Sequence, residues 1–152
     1  MERIIDTQAY LDTVLELLRG GSANVPVTVT GSSMTPFLRQ GDTVYLNLLT
    51  RPPRPGDIVL YTRPEGRYIL HRVVAVNRDG SFTMLGDAQT RRERIGSREQ
   101  IHAIATGARR RGRNITPRSF VWWFYGVIWR WVAPWRPTLI RFRERLRRKN
   151  SP

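Results

Sequence analysis

The chain of 152 residues has no cysteine, one lysine and two histidines. The missing cysteines exclude disulfides, thiolate zinc sites and cysteine nucleophiles, and leave the redox compartment open. Two histidines, His71 and His102, are too few for a histidine-rich metal site. No metal and no cofactor is expected. The one lysine, Lys149, lies three residues from the end among arginines, where it is charged and solvated. A reaction in the body of the chain that needs a base must therefore draw on a histidine or a carboxylate. Long apolar runs are also missing. No uncharged apolar stretch reaches the roughly 18 residues of a membrane span. The opening MERIIDTQAYLDTVLELLRGG holds acidic residues and no long apolar core, unlike a secretory leader.

Acidic residues are scarce at one end. Residues 1–100 carry 13 Arg and 11 Asp or Glu, a net +2, whereas residues 101–152 carry 12 Arg, one Lys and one Glu, a net +12. The body is nearly neutral and the end is basic, which suits a polyanionic partner. Apolar residues make up 40% and charged residues 25% of the chain, a composition able to bury one core.

Periodicity divides the chain into three parts. Asp6 is in N-cap position, Leu11, Val14, Leu15 and Leu18 recur at helical spacing, and Gly20-Gly21 is a stop, so residues 1–24 are read as an amphipathic helix packing on the domain. From residue 25 the period becomes two. Strands are expected at 25–30, 43–48, 57–62, 67–77, 81–85 and 100–106, separated by turn signals such as RPPRPGD and RPEG, which makes residues 25–108 a compact, mainly β, antiparallel, barrel-like domain. Residues 109–152 form a basic, Trp-rich tail: a linker RRRGRNITPR at 109–118, then SFVWWFYGVIWRWVAPW with all five tryptophans, then an arginine-rich end. Tryptophan favours the membrane–water interface and arginine the anionic headgroup, so residues 119–148 are read as a helical region lying on an anionic membrane surface. The alternative is a Trp-rich helix that covers the β domain. Nucleic acid is not expected as a partner, because the aromatics are bunched with aliphatics rather than interleaved with arginines.

The stretch TVTGSSMTPFLRQGD at 28–42 offers two hydroxyls, Ser32 and Ser33. A serine needs a base within reach and donors for the developing oxyanion. His71 in RYILHRVVAV and His102 in EQIHAIAT are the candidate bases, and each is also readable as an ordinary strand histidine. Asp87 in LGDAQ and Glu93 in TRRER follow His71 and are the candidate carboxylates to orient it. Asp87 equally reads as a turn former and Glu93 as an ion-pair partner of nearby arginines. Asp42 and Asp57 read as turn residues entering strands.

Several of these segments, in order, resemble the superfamily of signal peptidase I and the phage and SOS repressors. GSSMTPFLRQGDTVYL resembles its Gly-x-Ser-Met-x-Pro nucleophile box and following strand, RPGDIVLY its second strand signature, YILHRVVAV its general-base box, and LGDAQ its Gly-Asp box. Histidine followed by Arg-Val is similar to the endoplasmic-reticulum, archaeal and sporulation branch, where histidine replaces the usual lysine. The resemblance covers about residues 25–107. It implies Ser33 as nucleophile, His71 as general base, and Asp87 or Glu93 as the assisting acid. It also implies an oxyanion hole built from the Ser33 backbone N–H. A signal peptidase places a serine two residues before the nucleophile, and this chain has Gly31 there, leaving Ser32 as the substitute hydroxyl. The implied activity is a serine endopeptidase that cleaves signal-like or leader peptides of preproteins. The implied location is a bacterial cytoplasmic membrane, on a side the sequence leaves open. A non-catalytic, membrane-associated peptide binder and a repressor-like regulator are the competing readings, although only one helix precedes the strands and no helix-turn-helix is visible.

Overall fold

The computed structural model describes residues 7–135 together with 137, 138 and 141. Asp6, the expected N-cap, and most of the arginine-rich end lie outside the described residues. Helix α1 runs Thr7–Arg19 and buries Leu11, Val14, Leu15 and Leu18, the four residues its periodicity selects. It ends in paired reverse bonds, Gly21 N–H to the Leu18 carbonyl and Ser22 N–H to the Leu17 carbonyl, the closure that satisfies the last free carbonyls of a helix.

Eight strands follow: β1 Val25–Thr28, β2 Thr43–Asn47, β3 Ile58–Thr62, β4 Tyr68–Val76, β5 Phe82–Leu85, β6 Glu93–Ile95, β7 Ile101–Arg110 and β8 Arg113–Ile115. They form one antiparallel sheet in the order β1-β2-β7-β3-β4-β5-β6, with β8 also paired to β7. The end strands β1 and β6 do not pair with each other, so the sheet is open rather than a closed barrel. The stretch expected to be a linker, 109–118, instead holds the β7–β8 hairpin, with Arg110 opposite Arg113. Two short strands, β6 and β8, were not expected. Each has three residues, too few to show a period of two.

The main core joins α1, β1, β2, β3 and β7 with Met34, Phe37 and Leu38 from the β1–β2 loop. A second core lies across β3, β4, β5 and β6, around Val59, Tyr61, Val73 and Met84. Helix α2, Phe120–Val132, is part of this unit. Its Trp122 is buried in the main core and meets the Phe37 ring edge-on at 5.2 Å. Tyr125 packs on the same ring at 5.3 Å, and Gly126 lies against Gly56. One face of the tryptophan-rich helix thus covers the β domain. No helix among the described residues is long and apolar enough to cross a membrane.

Trp122→Ala is expected to lower unfolding stability by about 3–5 kcal/mol, the usual loss for a large buried aromatic. Trp131→Ala, on the opposite face, should change it by no more than about 0.5 kcal/mol. Equal denaturant midpoints for the two variants would show that α2 is not part of the folding unit.

Candidate active site

The β1–β2 loop carries Ser33. It is closed at its base by Val29 N–H to the Asp42 carbonyl and Gly41 N–H to the Val29 carbonyl, 2.8 and 3.0 Å. Met34, Phe37 and Leu38 anchor it in the core. Gly31 has φ +77°, a left-handed conformation that side chains disfavour. Glycine at this position is thus a requirement of the turn. Ser33 is half-buried and Ser32 is exposed.

The LGDAQ segment clasps this loop. Ala88 N–H donates to the Ser33 carbonyl at 2.9 Å. A Cβ placed on Gly86 would fall 2.6 Å from that same carbonyl oxygen and 3.0 Å from His71 Nε2. Ser33 and His71, 38 residues apart in the chain, therefore converge on Gly86, where there is no room for a side chain.

His71 lies on β4 opposite Val59 of β3 and is buried, 3% exposed. Its Nδ1 lies 3.3 Å from the Tyr61 hydroxyl, which donates to Glu93 Oε2 at 3.0 Å. Arg63 grips Glu93 with Nε and Nη2 at 2.8 and 2.9 Å. Hydrogen bonding to Arg63, and then to Tyr61, holds the Glu93 carboxyl below its usual range. It is ionised and only accepts. Since the one Tyr61 proton goes to Glu93, His71 Nδ1 must carry the proton it shares with Tyr61. Nε2 is then bare and faces the Ser33 side. Burial pushes the His71 pKa down to about 4, with the Glu93 charge opposing the shift, so the ring is neutral at neutral pH. Burial, then the Glu93 charge, raises Tyr61 well above the usual phenol range, and it remains protonated.

Asp87 stands elsewhere. Neighbouring residues on a strand point to opposite faces, so Arg72 turns away from the side that His71 serves. It meets Asp87 through Nε and Nη2 at 2.9 and 2.7 Å. The pair is 1% and 2% exposed. Arg72 Nη1 also donates to the Gly56 carbonyl at 2.9 Å, and the guanidinium stacks 5.0 Å from the Phe37 ring centre. From α2, Trp129 Nε1 donates to the Asp87 carbonyl at 2.9 Å. Of the two carboxylates expected beside His71, Glu93 reaches it through Tyr61, while Asp87 is held by Arg72. Tyr61 and Arg63 were not singled out from the sequence, and Arg72 was marked only as the residue that follows the base. The RPEG turn could have found the first: a hairpin centred there sets Tyr61 opposite Ile69, diagonal to His71 on the same face.

A cavity of about 640 Å³ opens at this point, with Ser33, His71 and Gln89 in its wall beside Leu11, Val29 and Leu70. Ser32 is not part of the wall. His102 is not in the wall; it sits behind the wall residue Tyr68, edge-on to that ring, with Nε2 3.0 Å from Thr62 Oγ1. Asp42 and Asp57 serve their turns, accepting from the N–H of Arg39 and of Arg54 and pairing with Arg110 and Arg51. No cluster of three metal-ligating side chains exists among the described residues.

The model of one family, Peptidase S24-like, matches residues 2–106. The chain belongs to this family. The activity at family level is that of a serine-type peptidase, and the match takes in both the Ser33 loop and the His71 strand. No curated protein and no solved structure matches the chain. Helix α2 lies beyond the part matched by the S24-like model.

Asp87→Ala in this S24-like chain is expected to cost about 3–5 kcal/mol, because it strands a buried guanidinium. The double change Arg72→Met with Asp87→Leu should recover part of that loss. A denaturant midpoint unmoved by Asp87→Ala would refute the buried pair. The His71 pKa gives a second test. The unfolded ring takes up its proton near 6.5 and the folded ring near 4. The stability from keeping it neutral is complete above pH 6.5 and drains away as pH falls toward 4. His71→Asn should flatten the stability–pH curve in that window by up to about 1.4 kcal/mol per pH unit, measured by denaturant titration at several pH values.

Proposed function

We propose that this chain is a serine endopeptidase with Ser33 as nucleophile and His71 as general base. The observation that carries the reading is the meeting of the Ser33 loop and His71 Nε2 at Gly86, with Nδ1 engaged by Tyr61. In this reading the bare Nε2 takes the Ser33 hydroxyl proton as Oγ attacks the peptide carbonyl, and later returns it to the leaving amine. The Nδ1–H bond to Tyr61 keeps the proton on the far nitrogen, and the Tyr61 bond to ionised Glu93 polarises that hydroxyl toward the imidazolium. Glu93 assists through Tyr61 rather than by touching the ring. Asp87 holds the frame. The oxyanion falls to the Ser33 backbone N–H, which donates to no backbone carbonyl among the described residues. Ser32, outside the cavity wall, is a weaker source of a second donor.

The substrate is an extended peptide laid in as an added strand. Among the described residues, strand β1 pairs only with β2, and β5 pairs with β4 only from Arg72 onward. The cavity lies between these two free edges, and its wall includes residues 27–31 and 67–71. Such edges supply main-chain hydrogen bonds, while pockets between them select side chains. The apolar lining, Leu11, Val27, Val29, Met34, Val44 and Leu46 among it, suits small or aliphatic residues near the cut, as in signal-like or leader segments.

A serine-directed fluorophosphonate should label the wild type. Ser33→Ala should abolish labelling, and His71→Ala should slow it by about 10²–10⁴-fold, the usual loss of a general base. Tyr61→Phe and Glu93→Gln should each slow it without lowering the melting temperature as Asp87→Ala does. Labelling that persists in Ser33→Ala would sink the assignment.

A further inference from the structure

Helix α2 has two apolar faces, and among the described residues only one packs on the β domain. Trp122, Tyr125, Gly126 and Trp129, at spacings of three and four, pack on the β domain or bond to it. The opposite side is left bare. Phe120 is 71% exposed, Trp123 50%, Trp131 73% and Trp135 68%, with Val121 and Ile128 beside them at 43% and 38%. At 1.5 Å per residue, this row extends for about 20 Å. Monomeric proteins rarely leave large aromatics exposed in one strip without a partner.

Charge names the partner. Residues 101–152 contain a single acidic residue, Glu144, against 13 basic ones. Arg118 precedes the helix, Arg130 lies within it and the exposed Arg141 follows. A second copy of a chain with net charge +14 would be repelled. A nucleic acid would not reward a strip in which the aromatics adjoin valine and isoleucine. Indole and phenyl rings flanked by guanidinium groups match an anionic bilayer surface, where rings settle at the headgroup boundary and arginines meet phosphate. We infer that the outward face of α2, led by Trp123, Trp131 and Trp135, docks this protein in the plane of an anionic lipid surface. The helix lies on the membrane and does not span it. The inference is independent of the peptidase reading, since it uses no residue of the Ser33–His71 site. It does have a bearing on that site. The packed face of α2 holds the Asp87 carbonyl through Trp129, and Asp87 is adjacent to Gly86, so docking would hold the cleft at a fixed distance from the lipid.

The test is sedimentation of the full chain with sonicated vesicles, either pure phosphatidylcholine or phosphatidylcholine with one-third phosphatidylglycerol. Binding to the anionic vesicles, weakened by added salt and accompanied by a blue shift of tryptophan emission, is expected. The double variant Trp123→Ser with Trp131→Ser should bind at least tenfold more weakly with an unchanged melting temperature, because neither ring is in the core. Binding that is undiminished in this variant would overturn the inference and assign any lipid affinity to the arginines alone. Failure of the wild type to bind anionic vesicles at low salt would also overturn it. So would a concentration-dependent dimer that the double variant abolishes while lipid binding persists.

Discussion

The structure turns on one buried ion pair. Arg72 and Asp87 are almost wholly removed from solvent, and a lone charge in that position would be prohibitive. The guanidinium therefore collects every partner its planar fork can reach. It takes the carboxylate of Asp87, the carbonyl of Gly56 and the face of Phe37. These partners belong to three different connections, and the Phe37 ring is also where α2 rests. The loops that approach β4 are thereby fixed against it. Because His71 is the residue before Arg72, the strand that carries the base is held by its neighbour from the other side of the sheet.

That arrangement divides two jobs between Asp87 and Glu93. Asp87 is fully buried and pairs with a cation, so its charge is consumed by structure. Glu93 is partly exposed, sits on the short strand β6, and spends its charge on Arg63 and Tyr61. A neutral phenol stands between this anion and the imidazole. Direction in a hydrogen-bond chain, rather than a charge in contact, then sets which nitrogen of His71 is protonated.

Much of this was legible in the sequence, and the rest failed for particular reasons. Helix α1 and its four buried residues follow from spacing alone. Strands β1 to β5 and β7 follow from alternation and turn residues, since each is long enough to show its period or is bounded by glycine, proline or aspartate. Beyond residue 108 the charge pattern misled. RRRGRN reads as a solvated linker, yet Arg109 and Arg110 continue β7 and Arg110 pairs with Asp42. The single lysine directed attention to His71, and box order to Ser33. Asp87 and Glu93 could not be told apart, because each is an acid a short way past the base. Their difference depends on Arg72 and Tyr61, whose roles emerge only when strands pair. The two readings of the aromatic helix were framed as rivals, membrane or cover for the domain. A helix has opposite faces, and covering the domain occupies one of them.

Two glycines near the nucleophile illustrate different constraints that a sequence writes with the same letter. Gly31 is held by torsion: its φ is left-handed and the space around a Cβ is empty. Gly86 is held by volume: its place is already taken by the Ser33 carbonyl and His71 Nε2. A residue of inverted chirality introduced by chemical synthesis would ease the first constraint, whereas at the second it is the volume for an L-alanine Cβ that is missing. The separation between the serine segment and the imidazole is thus gauged by the thickness of a bare backbone, and the smallest amino acid serves here as a spacer of fixed width.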